Sequence, residues 1–589
     1  LIKALEETNP VLFQEFEDAR HAAECASKFM RQSSRYPLTA VGDVNTYALF
    51  AEHFRNLTSA VGRAGVIVPT GIATDDTTKD FFGDLVEKRS LASLFDFENR
   101  EKLFPAVDSR MKFCLLTLSG APVKQARFVF FATRVEHLRD ERRRFTLDPA
   151  EIALFNPNTR TMPVFRTRAD AELTRAIYQR VPVLVNERTG ENPWGVRFQA
   201  MFHMSNDSGL FVTEPREGYV RLYEAKMFHQ YDHRWATYDN NADVRDTLWT
   251  EKCEPTFQVK ARYYVKKNEV ASKLDDWQNK WGLVFRGVGR ATDERTSIFT
   301  IVPMVGLGNS APFVKFRMNN PILSTCLLGC FNSIIFDYAI RLKVPGININ
   351  FFIVKQYPVL PLSFFSQCDI DFISPRIIEL VFTAHDMKPF AEDMGYHGEP
   401  FLWDEDRRAL LRAELDAYYA KLYGLNRDEL RYILDPQDVY GPDYPGETFR
   451  VLKDKEIRQY GEYRTRRLVL EAWDRLAERG VEVGNPDGYP SQDSAVTTKQ
   501  ETISVAQPRI ESRPAAVQTQ LSTPAKPPLP VTPPSKVVKE IDPPAGQPTL
   551  SDFGLYKCEV CGKMVMGFEK ANHEQEKHGG KGVQWKKMR

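Results

Sequence analysis

No run of about 18 uncharged apolar residues occurs anywhere in the chain, so a membrane span is not expected. Cysteine is scarce: eight in 589 residues, six of them scattered and two, Cys558 and Cys561, close together near the end. That distribution excludes a disulfide framework and points to metal ligation at the terminal pair. Cys326 and Cys330 lie four apart in an apolar stretch, where burial explains the spacing better than ligation does. Charge of one sign is also lacking. Lys and Arg number 79 against 78 Asp and Glu, a net +1 that neither supports nor excludes nucleic acid, because the sum hides any local basic face. What is present is 42% hydrophobic content with 12% aromatic residues, enough for the cores of two to four domains. A reducing cytoplasm is the expected compartment.

The most regular stretch is 42–119. Asp43 is read as the cap of a helix whose Val44, Tyr47, Ala48, Ala51 and Phe54 share one face, closed by Val61 and Gly62. The next apolar run, 64–68, is too short for a helix and rich in β-branched residues, and reads as a strand ending at Pro69. A helix over about 78–88, a strand over 92–97 and a strand over 112–118 follow. Helix, strand, helix, strand, strand is one half of an open α/β sheet. Upstream, 1–40 is helical, with Phe13, Phe16, Ala19, Ala23 and Phe29 as expected core positions. The loop after Pro69 leaves a strand's carboxyl end, where open sheets bind ligands. In the loop before 112, Arg110 either binds phosphate or pairs with Asp108.

From about residue 122 the character changes. The run 139–144, RDERRR, reads as a solvated helix face or a phosphate contact. Basic residues interleaved with aromatics recur at 223–235, 260–267 and 286–295, a pattern able to track phosphates and stack bases. His229 and His233 are four apart with Asp232 between them, but without a third ligand at fixed spacing polar contacts are the preferred reading over metal. From 375 to 476 the pattern is strongly helical, with Leu410, Leu411, Leu415, Tyr418 and Leu422 on one side of a charged helix. Beyond about 484 hydrophobicity collapses into Pro, Ser, Thr and Gln, a composition for a disordered tether. The chain ends in Cys558-x2-Cys561-x11-His573-x4-His578: two thiolates and two imidazoles for a closed, structural zinc site in a small finger. Lys570, Lys577, Lys581, Lys586, Lys587 and Arg589 make that unit basic, which suits DNA or a protein partner equally.

Three segments in order, DVNTYALFAEHF, GRAGVIVPTG and FPAVDSRMKFCLLTL, resemble the later motifs of amino-group DNA methyltransferases. More narrowly, they resemble the adenine-N6 enzymes of the large single-chain type II restriction-modification family, and the resemblance runs on to about residue 476. Within it, 326–361 resembles the end of a target-recognition module, with Asn332 and Ser333 on an apolar helix turning through Gly346. The resemblance implies S-adenosylmethionine as cofactor, double-stranded DNA as partner and transfer of a methyl group to adenine N6. Such chemistry takes the adenine out of the duplex and holds it between aromatic walls while its amino nitrogen attacks a sulfonium methyl group. It further implies Phe50, with Tyr47, beside the cofactor's adenine and Phe113 as a wall of the flipped base, against the alternative that they are core residues. Arg290, Thr292, Arg295 and Lys343 are implied as DNA contacts.

Two family motifs are missing. Neither the Gly-rich F-x-G-x-G turn nor the catalytic Asn-Pro-Pro-aromatic tetrapeptide is found. Asn192-Pro193-Trp194 lacks the second proline, and Asp542-Pro543-Pro544-Ala545 lacks the aromatic. With Leu1 in place of Met, the expectation is a fragment with no catalytic residue of its own, unable to methylate alone. The expected fold class is therefore α/β: the C-terminal half of a Rossmann-like methyltransferase sheet (1–121), an α+β target-recognition region (122–374), a helical scaffold (375–484), a disordered linker (485–550) and a zinc finger (551–589). Two rival readings stand beside this one, a bifunctional restriction endonuclease-methyltransferase and a non-catalytic DNA-binding specificity or adaptor protein.

Overall fold

Five strands form the first sheet: β1 (Arg63–Pro69), β2 (Leu91–Glu98), β3 (Lys112–Ser119), β4 (Ala126–Ala132) and β5 (Phe145–Leu147), in the order β1-β3-β2-β4-β5. β3 is antiparallel to both β1 and β2, so β1 and β2 run the same way with β3 between them. β4 is parallel to β2 and β5 antiparallel to β4. The computed structural model describes residues 2–274, 277–316, 320–344, 346–481 and 483–484, with three short strands at 555–558, 564–566 and 585–587.

Strand sequences set the two faces of this sheet. β3 alternates, sending Cys114, Leu116 and Leu118 to one side, where Phe81, Phe82, Leu85 and Val86 of the helix Lys79–Glu87 join the same core with Leu94 of β2. Its other residues, Phe113 and Leu115, share the opposite face with Phe95, Phe97, Val129 and Ala132. β2 is buried along almost its whole length because both of its faces are covered. Each fully buried Leu or Phe contributes roughly 1.5–3 kcal/mol. β1 is different: it pairs only with β3, and of its residues only Val68 is fully buried, while Ile67 is 59% exposed. Among the described residues nothing pairs with its outer edge.

The helices and strands of 42–119 lie where hydrophobic periodicity predicts them, but two details differ. The helix Thr46–Leu57 has Asn45 at its N-cap, without a side-chain capping bond, in place of Asp43. It buries Ala48, Leu49, Ala51 and Glu52 and leaves Phe54 40% exposed. The rotation follows from Glu52, whose carboxylate accepts from Thr39 Oγ1 at 2.6 Å and the Leu38 amide at 3.4 Å. The long helix Pro10–Gln32 buries none of its side chains, so Phe13, Phe16, Ala19, Ala23 and Phe29 are not core positions here. A third finding concerns extent: 126–147 completes the sheet, and the expected boundary at 121/122 falls in the connection between β3 and β4.

The rest of the larger unit is α+β around one continuous core. A four-stranded sheet runs Phe299–Pro303, Trp281–Phe285, Phe313–Lys315, Arg197–Gln199, and a three-stranded one runs Tyr264–Lys266, Tyr219–Tyr223, Gly306–Leu307. Two short, apolar helices, Pro321–Asn332 and Ile334–Arg341, meet at a 52° bend. Ser333 makes the bend a capped restart, its hydroxyl accepting from the Phe336 amide. Asn332 pairs like a strand residue, donating to Phe299 O at 2.9 Å and accepting from Phe299 N at 3.0 Å. No single helix is long and apolar enough to cross a membrane. Cys326 and Cys330 are fully buried, and burial pushes the Cys330 thiol up to about 11. The helix Glu405–Leu422 buries Leu411, Leu415, Tyr418 and Leu422 and leaves Leu410 half-buried, close to the face that its spacing predicts.

In the second unit, Leu555–Cys558 pairs antiparallel with Met564–Met566 and with Trp585–Lys587. Cys558 ends the central strand; Cys561, His573 and His578, the other expected zinc ligands, lie outside the described residues, as does the linker 485–550.

Candidate functional site

β1, β2 and β4 run in one direction, so their carboxyl ends at Pro69, Glu98 and Ala132 and the start of β3 at Lys112 share one edge of the sheet. Buried Asp96 ties this edge together. It accepts from Thr70 Oγ1 at the exit of β1 and from the Phe131 amide at 3.0 Å near the end of β4. Burial raises its pKa, and the two hydrogen bonds and Lys112 oppose the rise. The β2–β4 register shifts at this place, and Phe131 takes a left-handed backbone conformation, φ 56°. Its ring then stands between two cations, with Lys112 Nζ 4.7 Å and Arg166 Cζ 4.0 Å from its centroid.

The loop between β2 and β3 is organised by Asn99, whose amide donates to Phe104 O and Val107 O at 2.9 Å and accepts from the Phe104 amide. This seats Phe104 edge-on against Phe113, with ring centroids 4.9 Å apart, while Phe113 stacks on buried Phe97 at 5.4 Å. Phe113 is thus the half-buried middle of a three-ring cluster, and Phe104, 40% exposed, is the ring that reaches the surface. The sequence places Phe104 in this loop but gives no signal that it is the outward ring. Of the two readings of Arg110, the structure shows the pairing: the exposed side chain is held by Asp108 through Nε at 3.1 Å and Nη2 at 2.9 Å. Those bonds keep the Asp108 carboxyl well below the usual range.

Tyr47 and Phe50 lie three apart on the helix Thr46–Leu57. Tyr47 is half-buried, and its phenol is pushed up by burial and then by Asp75 and Cys114, which puts it beside the exit loop of β1. Phe50 is 57% exposed and stacks only on Phe54, which removes the reading of it as a core residue. The run 139–144 is a turn in which Asp140 pairs with Arg142, and Glu141 with Arg144. Its cations are largely neutralised locally.

Within 122–374 the structure separates surface cations from internal ones. Arg290 and Thr292 are exposed on the loop 287–296. Arg295 and Lys343, expected as DNA contacts, point inward. Arg295 donates to Asp337 at 2.7 Å and to Asn332 O. Lys343 is buried and donates to the Phe155 and Gln356 carbonyls, its ammonium 4.4 Å from the Tyr178 ring centroid. Burial holds that ammonium well below its ordinary pKa. Arg341, which the sequence gave no reason to single out, holds the loop. Its Nε donates to Asp337, Nη1 to Ala291 O and Thr448 O, and Nη2 to Asp293 O and Glu294 O, all between 2.8 and 3.0 Å. On the loop's other side, the Gly289 amide donates to Ile347 O and the Ile349 amide to Gly287 O. A buried Arg-Asp-Arg group thereby fixes the backbone that presents Arg290 and Thr292.

The stripe 223–235 is mostly internal, not a phosphate track: Tyr223, Met227, Phe228, Tyr231, His233 and Arg234 are all buried. His229 and His233 do not share a helix. His233 bonds Asp386 at 2.8 Å, and His229 lies tilted against Trp235 with ring centroids 4.4 Å apart, facing a cavity of about 110 Å³ that Arg412 and Asp416 also line. No cluster able to hold a metal ion occurs among the described residues.

No family model matches this chain, and no curated protein matches it. Among solved structures it is similar to the type IIG restriction endonuclease BpuSI, at 14% identity and a TM-score of 0.25, over 69% of this chain and 51% of that one. It is also similar to the Type IIL restriction-modification enzyme MmeI in complex with DNA, at 11% identity and a TM-score of 0.34, over 74% of this chain and 55% of that one. The chain spans about half the length of these two solved structures.

Proposed function

We propose that this chain carries the trailing half of the catalytic domain, and the target-recognition region, of an S-adenosylmethionine-dependent DNA methyltransferase acting on adenine N6 in a restriction-modification or related defence system. The observation that carries the reading is the order β1-β3-β2, an antiparallel hairpin strand between two strands of one direction, with the outer edge of β1 unpaired among the described residues. Alternate residues of that seven-residue strand direct their backbone hydrogen-bonding groups away from β3. Apolar residues of β1 and of the helix and turn before it, Phe50, Leu57, Val61 and Ile67, are exposed, as they are where a sheet continues into further strands and helices.

S-adenosylmethionine, when bound, supplies the methyl group. Toward it this chain offers Phe50, an exposed ring suited to stack on an adenine, with Tyr47 beside the β1 exit loop. Phe104 and Phe113, fixed by Asn99 and Phe97, supply aromatic surface for an extruded base at the same sheet edge. Lys112 and Arg166 around Phe131, and Arg290 on its braced loop, supply positive charge for the DNA backbone. The terminal finger is proposed to hold one structural zinc through Cys558, Cys561, His573 and His578, adding tethered affinity for DNA or for a protein partner.

The test is methyl transfer to duplex DNA, read as N6-methyladenine, with this 589-residue chain and with the protein extended by any upstream reading frame. The extended protein methylates and the chain alone does not. Methyl transfer by the chain alone, or an extended open frame without an Asn-Pro-Pro-aromatic segment, overturns the reading.

A further inference from the structure

The hairpin Ala236–Tyr238 and Val244–Asp246, the short helix Trp249–Cys253 and the neighbouring irregular segment 401–404 expose four large apolar side chains: Val244 is 45% exposed, Leu248 57%, Trp249 63% and Leu402 83%. Trp249 and Cys253 lie one turn apart on the same helical face. Cys253 Sγ is 3.9 Å from the Trp403 carbonyl, which brings Leu402 alongside. A tryptophan this exposed is unusual on a surface that binds nothing.

The support beneath these residues is rigid. Glu251 accepts from the Leu248 amide at 2.8 Å and from both terminal nitrogens of Arg245, locking the helix start to the hairpin. Arg234, fully buried, donates to the carbonyls of Lys252, Glu254, Phe257 and Thr383 and so fixes the segment from below. Lys252 is turned inward onto Asp232 at 2.8 Å and over the Trp403 ring at 4.2 Å. Burying two cations to immobilise a surface turn makes sense when that turn is an anchor already in its bound shape. None of these bonds serves the sheet edge or the 287–296 loop.

The rim of the patch is acidic. Asp243, Asp246, Glu254, Glu399, Asp404 and Glu405 are exposed around it, while Arg245 is paired with Glu251 and Lys252 with Asp232. Like charge repels a phosphate backbone, so this face does not suit nucleic acid. We infer that Val244, Leu248, Trp249 and Leu402 form a docking surface for a second protein that presents an amphipathic helix, its apolar face bordered by Lys and Arg.

A synthetic amphipathic helix of Leu and Lys, about 18 residues long, is a direct probe of that chemistry. The full chain is labelled with 5-fluorotryptophan, and the Trp249 line is assigned by its loss in Trp249→Phe. Adding the Leu/Lys peptide shifts this line saturably. Reversal of the rim by Asp243→Lys with Asp246→Lys, both exposed and outside the core, weakens the effect about tenfold or more and lets a Leu/Glu peptide bind instead. The inference is overturned by any of four results: no shift with the Leu/Lys peptide, an equal shift with the Leu/Glu peptide, a shift with duplex DNA alone, or broadening with protein concentration alone, which would assign the patch to a second copy of this chain.

Discussion

Internal charge at single residues carries much of the architecture, and its consequences are measurable. Asp416 faces the cavity beside His229 and accepts from the Ile334 amide at 2.7 Å; burial pushes its carboxyl up to about 6. The unfolded carboxyl titrates near 4, so between about pH 4 and 6 the folded chain holds a proton that the unfolded chain releases. The contribution of Asp416 to stability therefore falls as pH rises through that window. Asp416→Asn keeps an acceptor for Ile334, and denaturant unfolding should show it gaining on the parent from pH 4 to 6, by up to roughly 3 kcal/mol. Arg341 works in the opposite sense, since removing it leaves Asp337 and four carbonyls short of donors. Arg341→Ala is expected to cost about 3–5 kcal/mol. Arg341→Lys should leave the fold in place and speed hydrogen exchange of the 290–296 amides. On the exposed side of that loop, Arg290→Ala should leave stability within about 0.5 kcal/mol and reduce the salt slope of DNA binding by about one. An unchanged slope would remove Arg290 from the interface.

Among the elements, β1 has the least protection. Its free edge carries no bulge and no inward charge, and Ile67 stands in water. Self-association of the isolated chain, followed by light scattering, should fall with Ile67→Lys at little cost in unfolding free energy, because the residue is more than half exposed. In the extended protein the same substitution should lower thermal stability by more than about 1 kcal/mol if another element covers this edge. The elements of this sheet were legible because their apolar residues repeat at helix or strand spacing within a few positions: 64–68 predicts Arg63–Pro69, and 112–118 predicts Lys112–Ser119. The helix Thr46–Leu57 shows the limit of that reading, since which side faces inward was decided by Glu52 meeting Thr39 and Leu38 from outside the helix.

At the scale of the whole molecule, two units of different kind share the chain. A closed Cys2His2 set predicts one zinc per chain, bound at neutral pH and lost on chelation. Metal analysis of the purified protein should return about one equivalent, and Cys561→Ser should abolish it; retention of metal by that variant would exclude the set. The larger unit shows why site residues were harder to read than strands. Lys343 and Arg295 read in the sequence as surface cations, yet their partners are Phe155 O, Gln356 O and Asp337, remote or on other elements. The stripe 223–235 is internal because Arg234 reaches Thr383, and Asp386 reaches His233. By itself the sequence determined the order of helices and strands in 42–119, the scarcity of structural cysteine and the spacing of the terminal Cys and His residues, since each depends on residues close together in the chain. Only the tertiary structure decided which charges are buried, which rings reach solvent and which strand edge stays open, because the cost of desolvating a group is offset by acceptors that folding brings from far along the chain.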